Sequence, residues 1–203
     1  MTTKEAIQET FIKIYNDNIK RKGAKEFLDY LCSSNSDFFD APASTKFHSS
    51  EPGGLCMHSI KVYYRLKELV ANEKSEWAKS ITDESIAIIG LLHDVCKINF
   101  YKVEMRNRKD ERGEWIKVPF YTVDEELPYG HGEKSVYILS SYMKLTRDEA
   151  MAINWHMGGF DQRVIGGSYQ IGSACYKHPL VVLTQAADLF ATYFDETPGG
   201  SDY

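Results

Sequence analysis

Leu91-Leu92-His93-Asp94-Val95-Cys96-Lys97 sets an imidazole and a carboxylate side by side at the end of an apolar run, with a lysine three residues after the aspartate. Four more groups of the same kind stand where an apolar residue would be expected. His58 shares a helical stripe with Val62 and Leu66, and His131 leads Ile138 and Leu139. His156 follows Ala152 and Ile153, and Asp188 lies between Val181, Thr184 and Ala191. His93 itself follows Ile86 and Ile89 at helical spacing, so periodicity turns all six inward. An unpaired buried imidazole or carboxylate is costly, and a domain stable by only about 5–15 kcal/mol does not sustain six of them apart. A shared cation would neutralise the carboxylates and use the imidazole lone pairs. The small side chains Thr184, Ala187 and Ala191 leave room for it beside Asp188. Singly, each of the six reads as a hydrogen-bonded core residue or a cap; only the joint pattern points to metal. His48 and His178 fall at loop positions and stay outside the set.

His and Asp without thiolate suit Mn, Fe, Co, Ni or Zn better than Mg. Cys56 lies two residues before His58 and Cys96 two after Asp94; both read as small buried residues rather than ligands. Lys97, about one helical turn past Asp94, could hold a phosphate oxygen. Glu133 and Lys134 follow His131 and could face the same pocket or form a solvated first turn.

The elements that must position these groups read mostly as helices. Residues 4–22 carry Phe11, Ile14 and Tyr15 on one face, Gly23 interrupts, and 24–32 resume. Residues 33–53 form an irregular connection whose Phe38, Phe39 and Phe47 should pack on the body. Helices follow over about 55–73, from the N-cap Thr82 to the His-Asp pair, and over about 131–144. Thr146-Arg147-Asp148-Glu149 has the form of a capping box opening a short helix that ends near His156. Residues 157–178 read as a long Gly-rich loop with one helical turn, a candidate substrate wall bearing Arg163 and Tyr169. Pro179 suits the start of a last helix to residue 195.

Two stretches within 99–121 are aromatic or β-branched and flank Asp110-Glu111-Arg112-Gly113, which reads as an inserted β-hairpin. Its lysines, arginines and aromatics form a mildly basic arm that could cover the pocket, touch single-stranded nucleic acid or simply stand in solvent. The whole reads as one domain, 1–203, with a metal-binding core about 53–195 and a frayed tail 196–203.

Of 203 residues 43% are hydrophobic and 26% charged, enough for a real core, and the net charge of −5 argues against a broad nucleic-acid surface. No run is long enough to span a membrane, and no C-x-x-C pair occurs among the four cysteines. With no apolar leader at the N-terminus, these features fit a cytoplasmic protein with free thiols.

The ordered pattern His58, His93-Asp94, His131, His156, Asp188 resembles the HD-domain metal-dependent phosphohydrolase superfamily. Gly53-Gly54-Leu55 before His58, the His-Asp-x-x-Lys core and Ala187-Asp188 in the last helix support the likeness, which covers about residues 53–195. It implies an all-α fold, an HD-type helical bundle here with a small inserted hairpin, holding one or two divalent ions. His58, His93, Asp94 and Asp188 match the mononuclear ligand set; His131 and His156 match the extra pair of the dinuclear branches, with Asp94 bridging. Trp155-His156-Met157-Gly158-Gly159 departs from the cyclic-dinucleotide branch, HD-GYP, where a double His and a Gly-Tyr-Pro stretch are expected. The chain is also similar to the HD module of bacterial 3′–5′ exoribonucleases, without their separate oligonucleotide-binding domain. The resemblance implies cleavage of a phosphoester by a metal-bound hydroxide, with a nucleotide, short oligonucleotide or other phosphorylated small molecule as substrate. An HD-fold di-iron oxygenase and a non-catalytic metal-retaining binding or signalling module are the alternatives.

Overall fold

The structure, a computed structural model, describes residues 3–45 and 49–196. Phe47, His48 and the tail from 197 onward lie outside the described residues. Nine helices occur among those described: α1 (Thr3–Asn18), α2 (Ala24–Leu31), α3 (Gly54–Asn72), α4 (Asp83–Leu92), α5 (His131–Ser140), α6 (Arg147–Asn154), α7 (Gln162–Ile165), α8 (Gln170–Lys177) and α9 (Leu180–Phe190). Strands β1 (Tyr101–Lys109) and β2 (Trp115–Val123) form the inserted antiparallel hairpin. This is the all-α bundle with a small hairpin that the motif order implies.

The central helix is α4, apolar on every side: Ile86 through Leu92 are all buried. It starts where expected, with Thr82 Oγ1 accepting from the Ser85 N–H at 3.1 Å. α3 packs on α4 and on α9, and α6 joins α4, α5 and α9. The α3–α4 approach depends on Gly90, because a Cβ there would fall 2.4 Å from the Tyr63 Cα. Phe11, Phe27, Phe38, Leu55, Leu66 and Leu139 are fully buried in the same core. As expected, Phe38 and Phe39 tie the irregular connection to α1 through ring contacts with Phe11 at 4.9 and 5.5 Å.

Residues 157–178 differ from the expected loop. They hold a 3₁₀ turn, Gly158–Phe160, then α7 and the two-turn α8. The cause is a second small core, in which Ala174, Ile171 and Cys175 pack with Trp155 and Val181. Gly172 and Ser173 between these apolar residues mask the stripe.

The hairpin runs from Tyr101 to Val123, two residues beyond the expected end, with Tyr101 opposite Val123 and Lys109 opposite Trp115. Asp110 N–H donates to Glu114 O at 2.9 Å across the turn, and Gly113 takes the φ of +80° that closes it. Both strands are edges, so Pro119 sits in β2 without breaking a continuing sheet. At the base Tyr101 and Tyr121 meet edge to face, while Trp115 at the tip is 69% exposed. Among the described residues, no helix is long and apolar enough to cross a membrane.

Candidate metal centre

α4 ends at Leu92, and its last turn carries His93 and Asp94 into the middle of the bundle. His93 N–H still caps onto Ile89 O, after which Val95–Lys97 tighten into a 3₁₀ turn. α3 brings His58, the turn two residues past α6 brings His156, and α9 brings Asp188. His58, His93, Asp94 and His156 are all 2% exposed or less, and the Asp188 side chain is 20% exposed.

Two overlapping groups result: His58, His93 and Asp188, and His93, Asp94 and His156, each with ligand atoms within 4.8 Å of one another. His58 Nε2 lies 3.2 Å from Asp188 Oδ1 and 3.3 Å from His93 Nε2. Asp94 Oδ2 is 3.6 Å from His93 Nε2 and 3.8 Å from His58 Nε2. Its other oxygen, Oδ1, is 3.3 Å from His156 Nε2.

Each imidazole is oriented from behind. His93 Nδ1 is 3.1 Å from Gly90 O, His156 Nδ1 is 2.7 Å from Ile153 O, and His58 Nδ1 is 2.9 Å from Glu196 Oε1. Carbonyl and carboxylate oxygens only accept, so all three rings donate from Nδ1 and turn Nε2 to the centre. His156 Nε2 is buried and makes no hydrogen bond of acceptable geometry despite its nearness to Asp94. Three converging imidazole nitrogens, one of them orphaned, and two carboxylates fit a divalent cation. His58 Nε2 and His93 Nε2 face each other across 3.3 Å, and a cation there would displace the proton that His58 shares with Asp188.

Burial works against charge throughout the centre, and partners decide each outcome. Burial pushes His93 down to about 4, only partly offset by Asp94, so its ring is neutral. For His58 burial is outweighed by Asp188 and Glu196, which hold it up at about 9. Burial would raise Asp94, yet Lys97 and the imidazoles keep it well below the usual carboxylate range. Burial would likewise raise Asp188, but His58 brings it down. Cys56 and Cys96 are pushed by burial to about 12, so both are neutral thiols without metal, and neither belongs to the two converging groups.

The remaining residues singled out from sequence are placed differently. His131, half-buried, opens α5 and falls outside both groups; its Nδ1 lies 3.4 Å from Cys96 Sγ, and its ring meets Phe100 edge to face. Lys97 is buried, with Nζ donating to Asp94 Oδ2 at 2.6 Å. Lys134 is buried too, with Nζ 2.7 Å from Glu125 Oε1 and over the Phe100 ring. Glu133 receives the Gly130 N–H and an Arg163 N–H. Arg163 also pairs with Asp161 and lies over Trp155, 3.9 Å from the ring centroid. Glu133 and Arg163 line a groove of about 510 Å³ beside α5, α6 and α8, and none of the converging donors borders it. Tyr169 is 91% exposed.

Sequence reasoning missed Glu196, taken as the first residue of a loose tail. Its side chain is fully buried against His58. It lies past the last helical stripe, so no periodicity pointed to it.

The HD domain family model matches residues 56–193. The match spans well over half of the chain, and the protein belongs to the HD domain family, a superfamily of metal-dependent hydrolases. Its His/Asp groups could hold the divalent metal that the family binds. No curated protein and no solved structure matches the chain.

Proposed function

We propose that the protein is a metal-dependent phosphohydrolase cleaving a phosphoester, with a nucleotide or short oligonucleotide as the favoured substrate class. The observation that carries this reading is the convergence of His58, His93, Asp94, His156 and Asp188, with Nδ1 of each of the three imidazoles turned outward onto an acceptor. His58, His93, Asp94 and Asp188 would hold a first ion, and His156, on the Oδ1 side of Asp94, belongs to a second. His131 would complete that second position by turning from Cys96. When bound, such ions lower the pKa of a coordinated water and offset charge on phosphate oxygens.

The chain's own residues supply the rest. Asp94 spans both sides of the centre through its two oxygens. Lys97, buried beside Asp94 Oδ2, places a fixed positive charge where a phosphate would enter, and burial strengthens that interaction. Lys134 adds a second buried cation on the His131 side, already balanced by Glu125. The Phe100 ring packs against His131 and under Lys134, which shields that side of the centre. We read the chain as one HD-type domain in which the hairpin is an accessory arm and not part of the centre.

The test is direct. The full chain is loaded with Mn²⁺, Co²⁺ or Fe²⁺ and offered nucleoside mono-, di- and triphosphates, cyclic dinucleotides, short RNA and DNA and a chromogenic phosphodiester. Release of phosphate or nucleotide that disappears in Asp94→Ala is the expected result. Silence across the panel, or oxygen consumption by an iron-loaded protein, would overturn the proposal.

A further inference from the structure

The carboxylate behind His58 is unlike the two carbonyls behind His93 and His156. It comes from the C-terminal side of the bundle and is held by three separate devices. First, α9 widens after Phe190 into a single π-helical turn, Ala191–Asp195, which redirects the chain toward α3. Second, Asp195 is pinned to α3: Arg65 reaches both its oxygens at 2.8 and 2.5 Å, and Lys61 Nζ reaches its carbonyl at 3.1 Å. Third, Ser49 Oγ donates to Glu196 Oε2 at 2.8 Å, leaving Oε1 for His58.

Ser49 adopts a φ of +44°, a left-handed conformation that a serine takes at some cost. Its carbonyl lies so near α3 that a Cβ on Gly54 would fall 2.0 Å from it. A strained serine, a glycine that lets it approach and a π turn thus all act on one carboxylate.

We propose that Glu196 is the positioning residue for His58: it fixes the ring with the proton on Nδ1 and Nε2 aimed at Asp94 and Asp188, and Ser49 holds it in place. Its link to affinity rests on the reading that the centre binds a divalent ion. A carboxylate behind a ligating histidine also raises the ring's donor strength, and loss of such a partner typically weakens metal binding about 10–100-fold.

Glu196→Ala and Glu196→Gln in the full chain test it with two independent readings. Zn²⁺ affinity is measured by competition with a chelating dye. The Nδ1–H proton of His58 is followed by NMR in ¹⁵N-histidine-labelled, metal-free protein. We expect Glu196→Ala to bind Zn²⁺ about 10–100-fold more weakly and to lose the exchange-protected His58 Nδ1–H signal while those of His93 and His156 stay. Glu196→Gln, which keeps an acceptor but not the charge, should fall between, with Co²⁺ absorption bands shifted from those of the parent protein. Zn²⁺ affinity of Glu196→Ala within about twofold of the parent, or an unchanged His58 signal, overturns the proposal. If Glu196→Ala does not fold by circular dichroism, Glu196→Gln decides on affinity alone, and parity with the parent overturns. A parent protein that binds no divalent ion sinks the metal reading instead, and the NMR signal still tells whether Glu196 orients His58.

Discussion

Lys97 Nζ and Asp94 Oδ2 are 2.6 Å apart and both buried, so the carboxylate at the middle of the centre is already shared with a fixed ammonium. That pairing keeps Asp94 ionised and ready to ligate, and it places the lysine's charge against any cation there. Removing Lys97 should therefore separate binding from turnover. Lys97→Met is expected to bind Mn²⁺ or Zn²⁺ at least as tightly as the parent. Its metal-free form should melt earlier, because Asp94 loses its ammonium, and the rise in Tm on adding metal should be larger. Phosphoester cleavage should fall roughly a hundredfold or more, the scale of losing one fixed charge-stabilising donor. Calorimetry and steady-state assays on the same preparation check both halves, and weaker metal binding would count against this role for Lys97.

His131 stands apart from the converging donors and faces Cys96. A His131→Ala variant should thus keep a first ion and lose a second. Elemental analysis after dialysis should fall from about two ions per chain to about one, a count set by the two-metal pattern. Equal counts in both proteins would reduce the centre to a single ion or remove His131 from it. His93→Ala, by contrast, removes a donor common to both overlapping groups and should cost the first ion.

Gly90 sets the spacing of α3 and α4, and its carbonyl also orients His93. Gly90→Ala would force a methyl into the Tyr63 backbone, which cannot move aside as a flexible side chain would. The expected cost is about 1–3 kcal/mol in urea unfolding, together with weaker metal binding as the helices part. Gly113→Ala, in the hairpin turn, should leave metal affinity untouched.

Away from the centre, Glu149 joins two elements. It closes the capping box of α6 with Thr146 and accepts two hydrogen bonds from Arg21 and one from Ser85. Burial would raise its carboxyl, yet the Arg21 and Ser85 bonds hold it below its usual value. A lowered folded pKa means that the unfolded chain binds more protons as pH drops. The stabilisation is complete above the unfolded value, about 4.3, and is lost as pH falls through the folded one. Glu149→Gln should be less stable by roughly 3 kcal/mol near neutrality, with the gap narrowing below about pH 4. Thermal melts in chelator across pH check it; a gap that widens in acid would contradict the assignment.

Much of the centre could be read before any coordinates, because its residues interrupt apolar stripes. His58 between core positions of α3, His93 at the end of α4 and Asp188 in α9 each break a helical pattern that burial otherwise explains. The caps at Thr82 and Thr146 were legible for the same local reason. Illegible parts depend on geometry that leaves no period. Glu196 reaches His58 from just past a π-helical turn, whose period departs from the helical stripe. Arg163, in what read as an open loop, is spent on Glu133, Asp161 and the face of Trp155. α8 hides behind Gly172 and Ser173 and becomes a helix through contact with Trp155 and Val181.

The contact between His58 and Glu196 joins residues 138 positions apart. During synthesis His58 and His93 emerge early, while Asp188 and the carboxylate that steadies His58 come only after the rest of the bundle has been made. The emerging chain therefore has no finished cation trap to fill with whichever ion is most abundant. On the proposed reading, capture of metal would be deferred to the folded protein, when all donors are present and coordination geometry can select among ions.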